Sequence, residues 1–174
     1  MVLSQNILET ARVLLYLPEH NDINDFLDSY KKSKNHLAPW LKWAKDDINE
    51  SNAAIIIKSF KEKFLAKSEF RFFLRLKLSG MFIGSVTLRN IDWDGKTAEI
   101  GYWLDVDYLN KGYMYEATNF LLDYAQIKLG LLTVNAITYV DNDSSIKLLK
   151  KLGFEFEQNI KDYPKEISIY SKHL

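Results

Sequence analysis

Leu109, Asn110, Lys111, Gly112, Tyr113 and Met114 stand where a turn runs into a helix, and that placement has a chemical use. The first four N–H groups of a helix have no partner within it, and its N-terminus carries roughly half a positive charge. A phosphate set there is held by amides and dipole together. Gly112 lets the backbone approach an oxyanion closely, Asn110 tolerates left-handed dihedrals better than most residues, and Lys111 adds a point charge. A pyrophosphate suits such a loop. One glycine and one lysine at a helix start also serve capping alone, so the neighbouring residues must decide. Neither a Gly-x-x-x-x-Gly-Lys-Ser/Thr loop nor a Gly-x-Gly-x-x-Gly fingerprint occurs, which disfavours a nucleoside triphosphatase or a Rossmann dehydrogenase.

In the strand before this loop, alternation puts Ala98, Ile100, Tyr102 and Leu104 on one face and Glu99, Gly101 and Trp103 on the other. Glu99 thus points where little apolar packing is demanded, as an ion-paired surface carboxylate or as an acid–base group. Asp141, Asn142 and Asp143 are ordinary N-cap residue types, so Asn142 and Ser145 open a helix whatever else they do. His20, His36 and His173 lack metal-ligand spacing, and no metal is expected. Trp40, Trp43, Trp93 and Trp103 either line an acceptor cleft or fill the core. Lys31, Lys32, Lys150 and Lys151 read as solvated faces, with a lysine near Ser145 in reach of a ribose phosphate.

The elements that must position these residues read as one continuous fold. Thr10 to Tyr16 has strand composition, and a short helix is expected from Asp25 to Lys32, before the aromatic block His36-Leu37-Ala38-Pro39-Trp40-Leu41-Lys42-Trp43. Ala53, Ile56, Ile57, Phe60, Phe64 and Leu65 recur at helical spacing from about Asn52 to Lys67. Phe70 to Leu78 and Met81 to Leu88 are strands joined at Ser79-Gly80, and a turn at Asp92 to Gly95 precedes a third strand to Leu104. The remainder alternates: a helix from Gly112 to Leu129, a strand from Leu131 to Val140, a helix from Asp143 to Leu152, and strands near Phe154 to Gln158 and Glu166 to Lys172. An antiparallel meander followed by this alternation predicts a mixed α+β or α/β single domain over residues 1–174.

Composition narrows the function classes. The 23 lysines and arginines balance 23 aspartates and glutamates, so no global positive field gathers nucleic acid or an anionic membrane. The absence of cysteine removes disulfides, thiolate nucleophiles and thiolate metal sites together. The start of the chain lacks a basic segment followed by an apolar core, and no apolar run approaches the roughly 20 residues that span a bilayer. The expectation is a soluble, cytoplasmic protein, monomer or homodimer, without nucleic-acid or membrane partners.

Ala98-Glu99-Ile100-Gly101-Tyr102-Trp103-Leu104, Asn110 to Ala117, Asn142-Asp143-Ser144-Ser145 and Lys151-Leu152-Gly153-Phe154 stand in the order and spacing of the GNAT superfamily of acetyl-CoA-dependent N-acetyltransferases, which the chain resembles over nearly its whole length. The His36 to Trp43 block is similar to that of the Rim-type enzymes that acetylate ribosomal-protein N-termini. The resemblance implies a twisted, mostly antiparallel mixed sheet of about seven strands flanked by helices. Its fourth and fifth strands, here Thr97 to Leu104 and Leu131 to Val140, splay to take the pantetheine arm of acetyl-CoA. It implies cofactor contacts at Trp103, Leu104, Leu109, Asn110, Lys111, Gly112, Tyr113, Met114, Asn142 and Ser145, with Glu99 as general base through water and Ser145 near the thioester sulfur. The family usually has glycine at the position of Asn110 and serine or threonine at that of Tyr115. Many members place a tyrosine where this chain has Leu149. The acceptor implied is a primary amine, first a protein N-terminal α-amino group, second an aminoglycoside, polyamine or amino acid. A non-catalytic acyl-CoA-binding module is the reading from another class.

Overall fold

The computed structural model describes residues 7–162 and 165–174. In chain order its elements are β1 (Ile7–Glu9), β2 (Val13–Tyr16), α1 (Ile23–Leu37), α2 (Glu50–Leu65), β3 (Phe70–Leu76), β4 (Phe82–Asp92), β5 (Thr97–Leu104), α3 (Tyr113–Ile127), β6 (Thr133–Tyr139), α4 (Asp143–Lys151), β7 (Glu155–Asp162) and β8 (Lys165–His173). The eight strands form one mixed sheet in the order β1-β2-β3-β4-β5-β6-β8-β7, in which only the β5–β6 pair is parallel.

The eighth strand, β1, precedes the first expected one, which starts at Val13 rather than Thr10 because Thr10–Arg12 form a turn. The Thr10 hydroxyl accepts from the Val13 amide at 2.9 Å, and the Thr10 amide donates to the Val13 carbonyl at 2.9 Å. These local bonds give the backbone a turn to adopt instead of a continuous ladder, and β1 folds back against β2.

Each face of the sheet has its own apolar layer. Ala98, Ile100 and Leu104 of β5 pack with Val13, Leu15, Phe72 and Val86 under α3 and α4. The helix α3 forms because Met114, Ala117, Leu121, Leu122 and Ala125 recur at steps of three and four, so one stripe is buried. On the other face Phe73, Phe82 and Trp103 meet Phe26, Tyr30 and Ile57 of α1 and α2. Trp103 thus anchors the side that alternation alone leaves undemanding.

The helix α1 runs five residues past its expected end. Its last turns carry few apolar side chains, but Ser29 and Ser33 are buried. Ser29 Oγ donates to Asp105 Oδ2 at 2.7 Å, and Ser33 Oγ accepts from the Val106 amide at 3.0 Å. Small hydroxyls that satisfy a buried turn do not show in an apolar period, although they tie α1 to the end of β5.

Candidate active site

β5 and β6 pair in register from Thr97↔Thr133 to Ile100↔Ala136 and then part. From Gly101 onward the edge of β5 that faces β6 has no strand partner. A cleft of about 900 Å³ opens there, lined by Gly101, Tyr102, Trp103 and Leu104 on one side and Ile137, Thr138 and Tyr139 on the other. Unpaired N–H and C=O groups along a strand edge are a template for any extended, amide-bearing chain. On its other edge β5 is held by β4, where Gly84 lies opposite Leu104. A Cβ at Gly84 would come within 2.3 Å of the Trp103 carbonyl oxygen, so glycine is what lets the two backbones approach.

At one end of the cleft lies the loop from Leu109 to Met114. Asn110 and Gly112 both have left-handed backbones, at φ 59 and φ 80. Gly112 is the N-cap of α3 and offers no side-chain cap, which leaves the first helical amides to an external acceptor. Leu109, Asn110, Gly112, Tyr113 and Met114 all line the cleft. Lys111 belongs to the loop through its backbone, but its ammonium turns back to the Asp107 carbonyl at 2.8 Å and over the Tyr108 ring.

A second cation takes the place beside the loop. Arg12, in the β1–β2 turn, donates to the Lys111 carbonyl at 3.1 Å and lies over the Tyr113 ring at 4.7 Å. Its Nε is 2.7 Å from Glu116 Oε2, while its backbone amide and the Thr10 hydroxyl both bond Glu116 Oε1. Burial pushes the Glu116 carboxyl up, but these donors outweigh it and hold the group below its ordinary value. Sequence reasoning missed Arg12 because nothing local links it to a loop about a hundred residues away. Tyr115, also in the cleft, carries the Lys151 ammonium 4.5 Å above its ring.

Glu99 sits on the cleft floor in the face shared by Gly101 and Trp103, as alternation predicts. Arg89, its partner in register on β4, donates from Nε at 2.9 Å and from Nη2 to Glu99 Oε1, and Asn90 Nδ2 donates to Oε2 at 2.9 Å. The carboxylate is therefore ion-paired and also faces the cleft.

Asn142 caps α4, its Oδ1 accepting from the Ser145 amide at 3.2 Å. That leaves the carboxamide NH₂ as its donor toward the cleft, which both residues line. Leu149 is fully buried in the core, so α4 supplies no hydroxyl there. The hydroxyl comes from β5 instead: Tyr102 OH is 2.7 Å from Ser145 Oγ. Burial pushes the Tyr102 phenol up to about 12, with the Ser145 hydrogen bond pulling it slightly back. Alternation assigns Tyr102 to the face of Ala98, Ile100 and Leu104, where it stands partly buried; its use follows from the parting of the strands, which no period records.

The aromatic block also borders the cleft. Trp40, Leu41 and Trp43 line it beside Trp103, whose ring meets Trp43 edge-on at 6.0 Å. Trp93 lies elsewhere, its Nε1 donating to the Lys67 carbonyl at 3.2 Å. Among the described residues no cluster of three or more histidine or carboxylate side chains is arranged to hold a metal ion, and no helix is long and apolar enough to cross a membrane.

Comparison with known proteins places this geometry. The family model for the acetyltransferase (GNAT) domain matches residues 12–155. The uncharacterized N-acetyltransferase p20 of Bacillus licheniformis is 34% identical over 115 residues, 66% of this chain and 65% of that protein, so the match spans just under two thirds of that relative. The structure of RimL, a ribosomal L7/L12 alpha-N-protein acetyltransferase in complex with coenzyme A, superposes with a TM-score of 0.91 at 16% identity, covering 97% of this chain and 98% of that one. The microcin C7 self-immunity acetyltransferase MccE, in complex with acetyl-CoA and AMP, gives 0.87 at 22% identity over 95% and 94%. At such identities the two structures speak for the fold, while the family model covers most of the chain. From strand gap to helix start, this chain belongs to the acetyltransferase (GNAT) family.

Proposed function

We propose that the chain transfers an acetyl group from acetyl-CoA to a primary amine, with a protein N-terminal α-amino group as acceptor. The observation that carries this reading is the open β5 edge running from Gly101 to the left-handed Asn110 and Gly112 at the start of α3. An edge of free amides leading to a helix N-terminus matches a pantetheine arm that ends in a pyrophosphate. RimL, which shares the fold over nearly all of both chains, is by its description an alpha-N-protein acetyltransferase, and that supports the choice of acceptor.

In this reading the amides from Leu109 to Met114 hold the pyrophosphate, and Asn142 and the backbone of Trp103 and Leu104 hold the arm. Glu99 takes the proton from the acceptor ammonium through water. The amine nitrogen then attacks the thioester carbonyl directly, because no cysteine is present to carry an acyl intermediate. As the carbon–sulfur bond breaks, Ser145 donates a hydrogen bond to the departing thiolate, which takes up the second proton that the attacking nitrogen gives up as the amide forms. Tyr102 acts as a positioning residue, fixing the Ser145 hydroxyl so that its hydrogen faces the cleft.

Two measurements test this. Coenzyme A at about 100 times its dissociation constant should stabilise the fold by roughly 2.7 kcal/mol in a thermal-shift assay. Thiol release from acetyl-CoA should require an N-terminal peptide. No shift with coenzyme A removes the cofactor reading, and a shift without turnover on any amine leaves a binding module.

A further inference from the structure

Glu99 is the only carboxylate among the described residues that line the cleft, in a chain whose formal charges balance. It is also not the charge that an incoming molecule meets first. The Arg89 side chain is 48% exposed and that of Glu99 11% exposed. Gly101 adds no side chain to screen the guanidinium: a Cβ there would lie 4.0 Å from Arg89 Cζ. Arg71 lines the same floor from β3. Its Nε is 2.8 Å from Glu69 Oε1, Lys63 holds the other Glu69 oxygen at 3.1 Å, and its guanidinium lies over Phe60 of α2 at 4.5 Å. Among the described residues, Lys63 and Arg71 pair with Glu69 and Arg89 pairs with Glu99.

Phosphates of the cofactor do not account for these arginines. The phosphate loop begins α3, on the other face of the sheet, and has Arg12 and Lys151 beside it. Arg71 and Arg89 stand on the α2 face, where the acceptor amine has to reach Glu99. A bare ammonium or a polyamine approaching Glu99 is opposed by two guanidiniums at short range. An amine with a carboxylate beside it is not. Its carboxylate matches the planar fork of Arg89 and can take it in bidentate fashion, which releases Glu99 Oε1 toward the ammonium.

We infer that Arg89, backed by Arg71, forms an anion subsite, and that the preferred acceptor is an α-amine with a carboxylate on or next to the residue that bears it. Acceptor binding exchanges Arg89 from Glu99 to the substrate, so the base is uncovered only when the right amine arrives. This rests on the reading of the chain as an amine acetyltransferase and adds the substrate class.

Thiol release from acetyl-CoA should be followed with peptides that differ only in aspartate against asparagine at the second residue, with free alanine against alaninamide, and with spermidine. The wild-type kcat/KM for the acidic member of the preferred pair should exceed its amide twin by about tenfold. Whether the peptide or the free amino acid gives the higher rate identifies the source of the carboxylate. Arg89→Gln should bring the acidic-to-amide ratio down to about twofold or less, and Arg89→Lys should keep an intermediate ratio because it retains charge without the fork. A wild-type ratio near one, a ratio that survives Arg89→Gln, or a preference for spermidine overturns the inference while leaving the transferase reading intact. A chain that acetylates none of these acceptors overturns both. Glu99→Gln separates the two further: loss of turnover on every acceptor supports Glu99 as base, and unchanged turnover removes that role.

Discussion

The phenol of Tyr102 and the hydroxyl of Ser145 stand 2.7 Å apart, one on the open half of β5 and the other in the first turn of α4. Two neutral hydroxyls so placed can orient each other without either becoming charged. Burial keeps the phenol protonated through the physiological range.

Ser145→Ala should therefore lower kcat by about tenfold to a hundredfold at saturating acetyl-CoA, toward the lower end of what one preorganised hydrogen-bond donor to a developing negative charge contributes. Tyr102→Phe should lower kcat by less and leave the KM for acetyl-CoA nearly unchanged. In the double variant the Tyr102→Phe effect should vanish, since the residue it orients is gone. Additive losses would show that Tyr102 acts independently of Ser145.

The Glu116 cluster gives a pH dependence whose sign follows from its depressed carboxyl. A group with a folded value below its ordinary one stabilises the fold above the ordinary value, here 4.5, and loses that contribution as pH falls through the lower folded value. The melting temperature of wild type should exceed that of Glu116→Gln at neutral pH, and the difference should shrink as pH drops below the ordinary carboxylate range. A difference that stays constant with pH would assign the loss to packing instead.

Gly84→Ala places a methyl group where the Trp103 carbonyl already stands, at a backbone φ of +142. Overpacking and strain together should cost about 2 kcal/mol or more, read by chemical denaturation. Because the displaced backbone forms one wall of the cleft, coenzyme A affinity should fall as well.

Gly112→Ala should weaken coenzyme A binding and lower stability by about 1 kcal/mol, because the N-cap of α3 is left-handed and a Cβ there is disfavoured. Asn110→Gly should be close to neutral or stabilising, because glycine adopts the same left-handed backbone without steric cost. Isothermal titration of coenzyme A with both variants checks the pair.

Much of this site was legible in the sequence, and the gaps have physical causes. Local rules found Asn110 and Gly112 as left-handed positions, Asn142 as a cap and Glu99 on the face of Trp103, because each depends on a few adjacent dihedrals. Arg12 on the Lys111 carbonyl, Arg89 on Glu99 and Tyr102 on Ser145 were not legible, since each is a contact between elements that meet only in three dimensions. Helix α1 was read short for a similar reason: Ser29 and Ser33 serve the turn at Asp105 and Val106 and carry no apolar signature.

The parting of β5 and β6 after Ile100↔Ala136 has a consequence for how such a protein varies. What the cleft offers there is main chain, and main chain is the one chemical group that substitution of side chains does not delete. The chain carries asparagine at position 110 and tyrosine at 115 and shares only 16% of its residues with a structure of the same fold, and the main-chain groups that line its own gap do not depend on any of those side chains. Substitution of a side chain such as Arg89 therefore changes what the cleft presents beside that row and leaves the row itself in place.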